Sequence, residues 1–447
     1  MECWDVIILG AGPAGLFAAS ELLNSNLRVL IVDKGDEPLK RKSVICGVGG
    51  AGAFSDGKLN LTSKIGGEPE TFSRTHEEID EYIEKVDRIF TELGVGGNYS
   101  GVNGGDLDKL SKMANKAGVE FIFGKQKHIG TDCIREIINK FYYRLSENGI
   151  RFQLNTPIEQ IEIDGDEFIM KSGTQELRGR RIIAAPGRAG AYWLREQARK
   201  IGVETKYGPI DVGVRAEFPA SIYEEITEVM YDAKFKLYTP THDDPVRTFC
   251  TNPGGYIFSE RYEGFTLVNG HSHRGRKSKN TNFALLSRIT LTDPVEDTTE
   301  YGRAIAKLAT TIGGGKPIIQ RLKDLENGRR SNWERINRSS ITPTLLDTTP
   351  GDISMALPHR IVVNMLEGLQ SLDKIAKGIF SHNTLLYTPE IKFYDTKYTV
   401  NKTMETTVKG FYVAGDASGH SRGIVFSAVT GMIAADDIKS RFSVSEV

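Results

Sequence analysis

Residues Asp5–Gly35 read DVIILGAGPAGLFAASELLNSNLRVLIVDKG, and the fold turns on this stretch. Val6–Leu9 is a short apolar run rich in β-branched residues. It is broken by Gly10, Ala11, Gly12, Pro13, Ala14 and Gly15, after which Leu16, Phe17, Ala18, Ala19, Leu22 and Leu23 follow at helical spacing. The order is strand, glycine turn, helix. A second apolar run, Val29–Val32, ends in Asp33, 18 residues beyond Gly15, where a dinucleotide-binding βαβ unit carries its ribose-binding carboxylate. Lys34 stands beside it. Gly10 permits the tight turn, Gly12 lets the backbone approach a pyrophosphate with no Cβ in the way, and Gly15 lets helix and strand pack closely. Negative charge then rests on the helix amides. The expected ligand contains ADP, and Asp33 argues against a 2′-phosphate because two anions repel. The unit alone does not separate NAD from FAD.

Working outward, 447 residues are too many for one hydrophobic core, so two or three domains are expected, one of them interrupted by insertions. A net charge of -1 with 26% charged residues gives no large positive field, and nucleic acid is not expected as a partner. No run approaches the roughly 20 apolar residues that cross a bilayer. The first strand starts too close to Met1 for a signal peptide, which makes the cytoplasm the expected location. Cys3, Cys46, Cys133 and Cys250 form no CxxC pair; they read as reduced thiols, and no metal site is expected.

The second informative stretch, Cys46–Leu61, reads CGVGGAGAFSDGKLNL. Its crowded glycines, Gly49, Gly50 and Gly57 among them, suit a backbone that turns through positive φ or passes close to something flat or charged. Ser55 and Lys58 offer side-chain donors there, and Cys46 is either a small buried residue or a neighbour of a bound ring. From 65 to 125 the composition shifts to an acidic amphipathic helix, a glycine-rich loop at Gly94–Gly105 and a second helical piece. This reads as an insertion over the nucleotide domain. A helix over Thr131–Asn148, capped by Thr131 or Asp132 and closed by Gly149, comes next. Short strands at Arg151–Leu154, Ile158–Ile163, Phe168–Lys171 and Gln175–Leu177 form a β-meander. They lead to a buried strand ending in Ala185, Pro186 and Gly187.

Near the end, Gly410–Gly431 reads GFYVAGDASGHSRGIVFSAVTG. Phe411–Ala414 is a strand, Gly415 frees the backbone, Asp416 accepts from sugar-like hydroxyls, and Gly423 and Ile424 open a helix. The amide-rich start of that helix suits the anion of a reduced flavin ring. An NAD domain has no need of such a C-terminal element, which favours FAD.

Together, DVIILGAGPAGLFAA, IIAAPG and GFYVAGDASG resemble the two-domain branch of the glutathione-reductase-type FAD fold. More closely, the chain resembles the uncharacterised FAD-dependent dehydrogenase family. The likeness includes CGVGGAGAFSDGKLN, HIGTD, VGVRAEFP, FCTNPGGY, VNGHSHRG, NTNFALL and GGGKPIIQRL, in that order. Relatives commonly carry a second cysteine where this chain has Thr251 and Asn252, and small residues at His420, Ser421 and Arg422. The resemblance implies bound FAD contacted by Gly10, Gly12, Gly15, Asp33, Asp416 and the helix start at Gly423, with a cap domain over the ring. The full set of cofactor-binding candidates is Gly10, Gly12, Pro13, Ala14, Gly15, Asp33, Lys34, Gly49, Gly50, Ser55, Gly57, Lys58, Ala185, Gly187, Gly415, Asp416, Gly423 and Ile424.

The expected architecture is α/β. A Rossmann-like FAD-binding domain with a parallel sheet and a β-meander covers 1–64, 126–190 and 393–447, a helical insertion 65–125, and an α+β substrate or cap domain 191–392. In the cap, Tyr238, Arg247, Arg261, His271, His273, Arg274 and Arg276 gather in sequence. His271 and His273 alternate along a strand and so share one face. The expected reaction passes a hydride between a small organic substrate, anionic ones included, and flavin N5. His271, His273 or His420 moves the proton, and Arg422 favours the reduced anion or holds a carboxylate. No second GxGxxG follows. NAD(P)H would therefore bind transiently, or an electron carrier or dioxygen takes its place. The alternatives are a flavin-dependent monooxygenase or a nucleic-acid-modifying flavoenzyme and, in another class, a non-catalytic binding protein on the same fold.

Overall fold

Val6–Leu9 is wholly buried because strands flank it on both edges and helices cover both faces. β1 (Cys3–Leu9) pairs in parallel with β2 (Val29–Val32), Val6 opposite Val29, and with the strand Gln175–Ala184, Ile7 opposite Ile182. The computed structural model describes residues 3–96, 99–262, 264–273, 275–289, 297–393 and 396–444. Its contacts divide the chain into two units. The first is Met1–Asn98, Lys127–Gly208 and Asp395–Val447; the second is Tyr99–Gln126 and Pro209–Tyr394.

In the first unit the parallel strands run in the order Arg151–Gln153, β2, β1, Gln175–Ala184. The last of these serves two partners along one edge. Its first half pairs antiparallel with Glu167–Ser172, and its second half pairs parallel with Phe411–Val413. The C-terminal strand thus completes the sheet beside the end of β1 that the glycine turn leaves. Helix α1 (Pro13–Glu21) covers one face, and the long helix Gly423–Val444 lies against it so closely that a Cβ at Gly431 would sit 2.1 Å from Ala14 O. Phe17 of α1 touches the rings of Phe90 and Phe141 at 5.3 and 5.0 Å. Each fully buried phenyl of this kind contributes roughly 2–3 kcal/mol. Leu194 and Ala198 of the helix Ala191–Lys200 cover the other face.

Several expectations are revised by these contacts. Arg151–Gln153 belongs to the parallel sheet through β2; the meander is Gln160–Asp164, Glu167–Ser172 and the first half of Gln175–Ala184. The strand expected over Gln175–Leu177 runs on to Ala184, through Gly179, whose open side receives Ile7. The helix expected from Thr131 begins at Ile134, and its N-cap, Cys133, makes no side-chain cap bond. The insertion expected over 65–125 is divided between the units. His76–Glu92, held at its start by a capping box of Thr75 and Glu78, packs Phe90 into the first unit, whereas Glu120–Ile122 pairs with Lys234–Tyr238 in the second. The first unit also keeps 191–208, because Thr205–Tyr207 pairs with Thr396–Tyr398.

The second unit is an eight-stranded sheet in the order Thr349–Pro350, Ile318–Arg321, Leu385–Phe393, Ile210–Pro219, Asn280–Ile289, Pro245–Asn252, Lys234–Tyr238 and Glu120–Ile122. Its central strand is buried from Ile210 to Phe218. The helix His359–Asp373 lies on one face, with Gly368 against Val246 and Leu285. The hairpin Tyr256–Tyr262 and Phe265–His271 forms a separate two-stranded sheet.

Candidate functional site

The glycine turn is built almost entirely of backbone. Gly10 N donates to Val32 O (2.8 Å) and Ala185 N to Leu9 O (2.8 Å), which fixes the turn between β2 and the strand ending at Ala184. A Cβ at Gly15 would lie 1.9 Å from Gly10 O, and one at Gly10 would lie 2.3 Å from Ala185 O, so neither position admits a side chain. Pro13 opens α1 and no side chain caps it, which leaves the first-turn amides around Ala14 and Gly15 to an outside acceptor. Asp33 accepts from Gly35 N (2.8 Å) and Gly47 N (2.9 Å) at Oδ1 and from Ala11 N (2.8 Å) at Oδ2. Three of about four acceptor sites on the carboxylate are used, and one remains for a hydroxyl. Lys34 is exposed, and Gly187, with φ 65°, faces open space.

The second glycine stretch comes to the first. A Cβ on Gly50 would touch Gly12 Cα at 3.2 Å, and one on Gly52 would touch Pro13 Cγ and Ile424 Cγ1 at 3.2 and 3.4 Å. The three glycine-rich segments therefore converge within the first unit. Gly49 N donates to Ala11 O (2.7 Å) and Gly50 N to Gly47 O (2.8 Å), so this loop offers shape rather than free donors. Ser55, Gly57 and Lys58 serve the loop itself. Ser55 donates to Gly52 O, Gly57 sits under Ile129, and the half-buried Lys58 pairs with Asp56 at 3.0 Å.

In the C-terminal loop, Gly415 N donates to Thr430 Oγ1 (2.9 Å), Asp416 Oδ1 accepts from Ser427 Oγ (2.8 Å), and Asp416 Oδ2 faces Arg188 at 3.4 Å. Arg422 donates through Nη1 to the carbonyls of Asp416 and Ser421. His420 differs from its expected part. It is buried, with Nε2 2.8 Å from Tyr398 O and Nδ1 2.9 Å from Thr71 Oγ1. A carbonyl only accepts, so Nε2 carries a proton, while Nδ1 lies within hydrogen-bond distance of Thr71 Oγ1, whose hydroxyl also reaches Glu68 O at 2.8 Å. Burial, ahead of every other cause, lowers the pKa of this imidazole to about 4. Both nitrogens are engaged in holding the loop.

In the second unit the rings of His271 and His273 meet at 4.8 Å, with Tyr256 6.2 and 6.1 Å away and Phe258 5.0 Å from His271. Arg276 lies over Tyr256 at 5.2 Å. Arg274 is outside the described residues. The other cap residues disperse: Arg247 pairs with the buried Asp211, Arg261 faces Asp347 at 3.7 Å, and Tyr238 is exposed. Behind the hairpin lies a buried polar layer that sequence reasoning missed. Arg215 spends all five N–H groups on Glu390, Asn282, Asn269 and Cys250 O, with Nε to Glu390 Oε2 at 2.8 Å, and Lys392 reaches Glu390 at 2.7 Å. Asn252, one of the departures from the resembled family, donates to Asn282 Oδ1 at 3.2 Å. Glu217 accepts from Thr344, Tyr387 and Asn280, and burial raises its pKa. Among the described residues, no three His, Cys, Asp or Glu side chains group to hold a metal ion. Nor is any helix there long and apolar enough to cross a membrane.

The first unit's residues fit an extended dinucleotide. Gly12 and Gly50 meet backbone to backbone with no side chain between them, an uncapped helix start lies beside them, and Asp33 keeps one acceptor position.

Comparison with known proteins agrees. Residues 209–392 match the family model described as FAD-dependent protein, C-terminal domain-like, and residues 8–39 match the NAD(P)-binding Rossmann-like domain. An uncharacterised protein of Clostridium beijerinckii is 24% identical over 481 aligned residues, covering 98% of this chain and 81% of that one. Similar solved structures include glycine oxidase from Geobacillus kaustophilus, 12% identical over 98% of this chain and 95% of that one, with a TM-score of 0.42. Another is 3-ketosteroid-delta4-(5alpha)-dehydrogenase from Rhodococcus jostii RHA1, 11% identical over 98% and 96%, with a TM-score of 0.43. At such scores neither likeness assigns a reaction. A Rossmann-like dinucleotide unit joined to the C-terminal domain of FAD-dependent proteins makes this chain an FAD-dependent flavoprotein.

Proposed function

We propose that this FAD-dependent oxidoreductase passes a hydride between a small organic substrate and flavin N5, with His271 and His273 handling the accompanying proton. The observation that carries the reading is the ring contact of the two histidines at 4.8 Å, beside Tyr256, Phe258 and Arg276. Tyr256 and Phe258 offer faces to a planar or apolar substrate, and Arg276 offers a cation to an anionic one. One imidazole in such a pair takes or gives the substrate proton while its neighbour orients it.

When bound, FAD supplies the hydride acceptor or donor. The remaining work falls to the chain. The turn Gly10–Gly15 and the start of α1 hold the pyrophosphate, Asp33 takes a ribose hydroxyl, and Asp416 takes a hydroxyl of the linking chain. The helix start at Gly423 and Ile424, with Arg422, favours negative charge on the reduced ring. His420 is assigned here to positioning, since its two nitrogens hold Thr71 and Tyr398.

The test is anaerobic bleaching of the flavin absorbance by a panel of small carboxylic acids and isoprenoid alcohols, with NAD(P)H as a separate arm. A substrate that bleaches wild type should reduce the His271→Ala and His273→Ala double variant about 100-fold more slowly or worse, at unchanged FAD content. Equal rates in the two proteins would overturn the assignment of these histidines.

A further inference from the structure

Arg41 is a buried cation of the first unit that the proposed chemistry does not use. It is 5% exposed. Its Nη1 donates to Val48 O (2.7 Å) and Gly50 O (2.8 Å), its Nη2 to Ser43 O (3.1 Å) and Val44 O (3.0 Å), and its Nε to Ser43 O (3.2 Å). All five N–H groups are therefore committed to four carbonyls of one loop. The ring of Phe54 lies 4.8 Å from the guanidinium carbon, and Arg41 Cδ closes over Gly47, where a Cβ would be 3.1 Å away.

Gly50, whose carbonyl Arg41 holds, is the residue that packs against Gly12 of the glycine turn. A glycine loop has more backbone freedom to lose than any other, so a free Gly47–Gly50 segment would not stay seated against Gly12. A guanidinium that engages Val48 O and Gly50 O fixes this segment against the glycine turn. The amides of Val48 and Gly49 are tied the other way, to Asp36 O and Ala11 O, so the segment is held from both sides. Burial lowers the Arg41 pKa to about 10, which leaves it a cation at neutral pH.

We infer that Arg41 is a positioning residue for the FAD pyrophosphate, acting through the Gly47–Gly50 backbone without touching the cofactor. This rests on the flavoprotein reading. The test uses full-length wild type, Arg41→Lys and Arg41→Met, each titrated with FAD and then examined by 31P NMR and visible spectroscopy. Both variants should bind FAD about 10- to 100-fold more weakly. Their bound pyrophosphate resonances should move toward those of free FAD, while the visible flavin band, which reports the ring, stays in place. Lysine keeps the charge but not the five-donor fork, so Arg41→Lys carries the test if Arg41→Met fails to fold. Unchanged affinity and unchanged 31P shifts, with only a lower unfolding temperature, would overturn the proposal. Displacement of the visible band together with the 31P shifts would overturn it as well, since that signals general disorder. Wild type that binds no FAD would instead overturn the flavoprotein reading.

Discussion

The glycine turn at Gly10–Gly15 and the polar layer around Arg215 both lie in sheet cores, yet they are built from opposite materials. The turn is backbone, and its specificity is the absence of side chains: a Cβ at Gly15 would stand 1.9 Å from Gly10 O. The polar layer is side chain, and its specificity is full pairing. Arg215 and Glu390 have no exposed surface, and every guanidinium N–H has an acceptor. The first arrangement tolerates almost no substitution, because added atoms have nowhere to go. The second tolerates substitution only in pairs, because one partner left alone is an unpaired buried charge.

The largest effect should come from the turn. Gly15→Val places atoms on Gly10 O and should yield protein without bound FAD, measured as flavin absorbance per chain after purification; normal FAD content would show that the turn is not the site. The contrasting glycine is Gly187, which faces open space; with φ 65° and ψ -175° its backbone is nearly confined to glycine, so Gly187→Ala should cost roughly 1–3 kcal/mol of stability through strain alone. Next in size, Glu390→Gln or Arg215→Met should each lose roughly 3–5 kcal/mol in urea unfolding. The double variant Arg215→Met, Glu390→Met should lose much less than the sum. Strict additivity would break the paired-charge account.

These two regions also differ in what can be read from sequence alone. The turn, its flanking strands and Asp33 lie within 33 residues of the start and carry their own spacing, so the βαβ unit and its dinucleotide are legible. The partners of Arg215 are 35 to 175 residues away along the chain, and no periodicity marks them. Arg41 escapes notice for another reason: its acceptors are backbone carbonyls, which no residue type signals. His420 misleads because a histidine in a flavin-type loop suggests proton transfer. Only the positions of Tyr398 O and Thr71 Oγ1 reveal it as a crosspiece. The domain boundaries shift because strand pairing, not composition, assigns 99–126 and 191–208.

The crosspiece has a pH signature. His420 has its pKa lowered from 6.5 to about 4, so below pH 6.5 the unfolded chain takes up a proton that the folded chain refuses. Its stability contribution is therefore complete above about pH 6.5 and is lost as the pH falls toward 4, by roughly 3 kcal/mol. The stability gap between wild type and His420→Gln, followed by urea unfolding across that range, should shrink as the pH falls. A constant gap would mean that the imidazole is not buried neutral.

The smallest effect belongs to Asp33. With three backbone amides already bound, Asp33→Asn loses the charge and part of the ribose contact, and it should weaken FAD about tenfold by fluorescence titration. An unchanged affinity would show that Asp33 only ties the loops together.

The central claim is that the first unit holds a dinucleotide flavin, and it is tested most directly by heat-denaturing the purified protein and identifying the released flavin by chromatography. The account predicts FAD, close to one per chain. Release of FMN, which lacks the adenosine monophosphate half and with it the pyrophosphate and second ribose that Gly10–Gly15 and Asp33 are shaped for, or of no flavin at all from protein reconstituted with excess FAD, would contradict it.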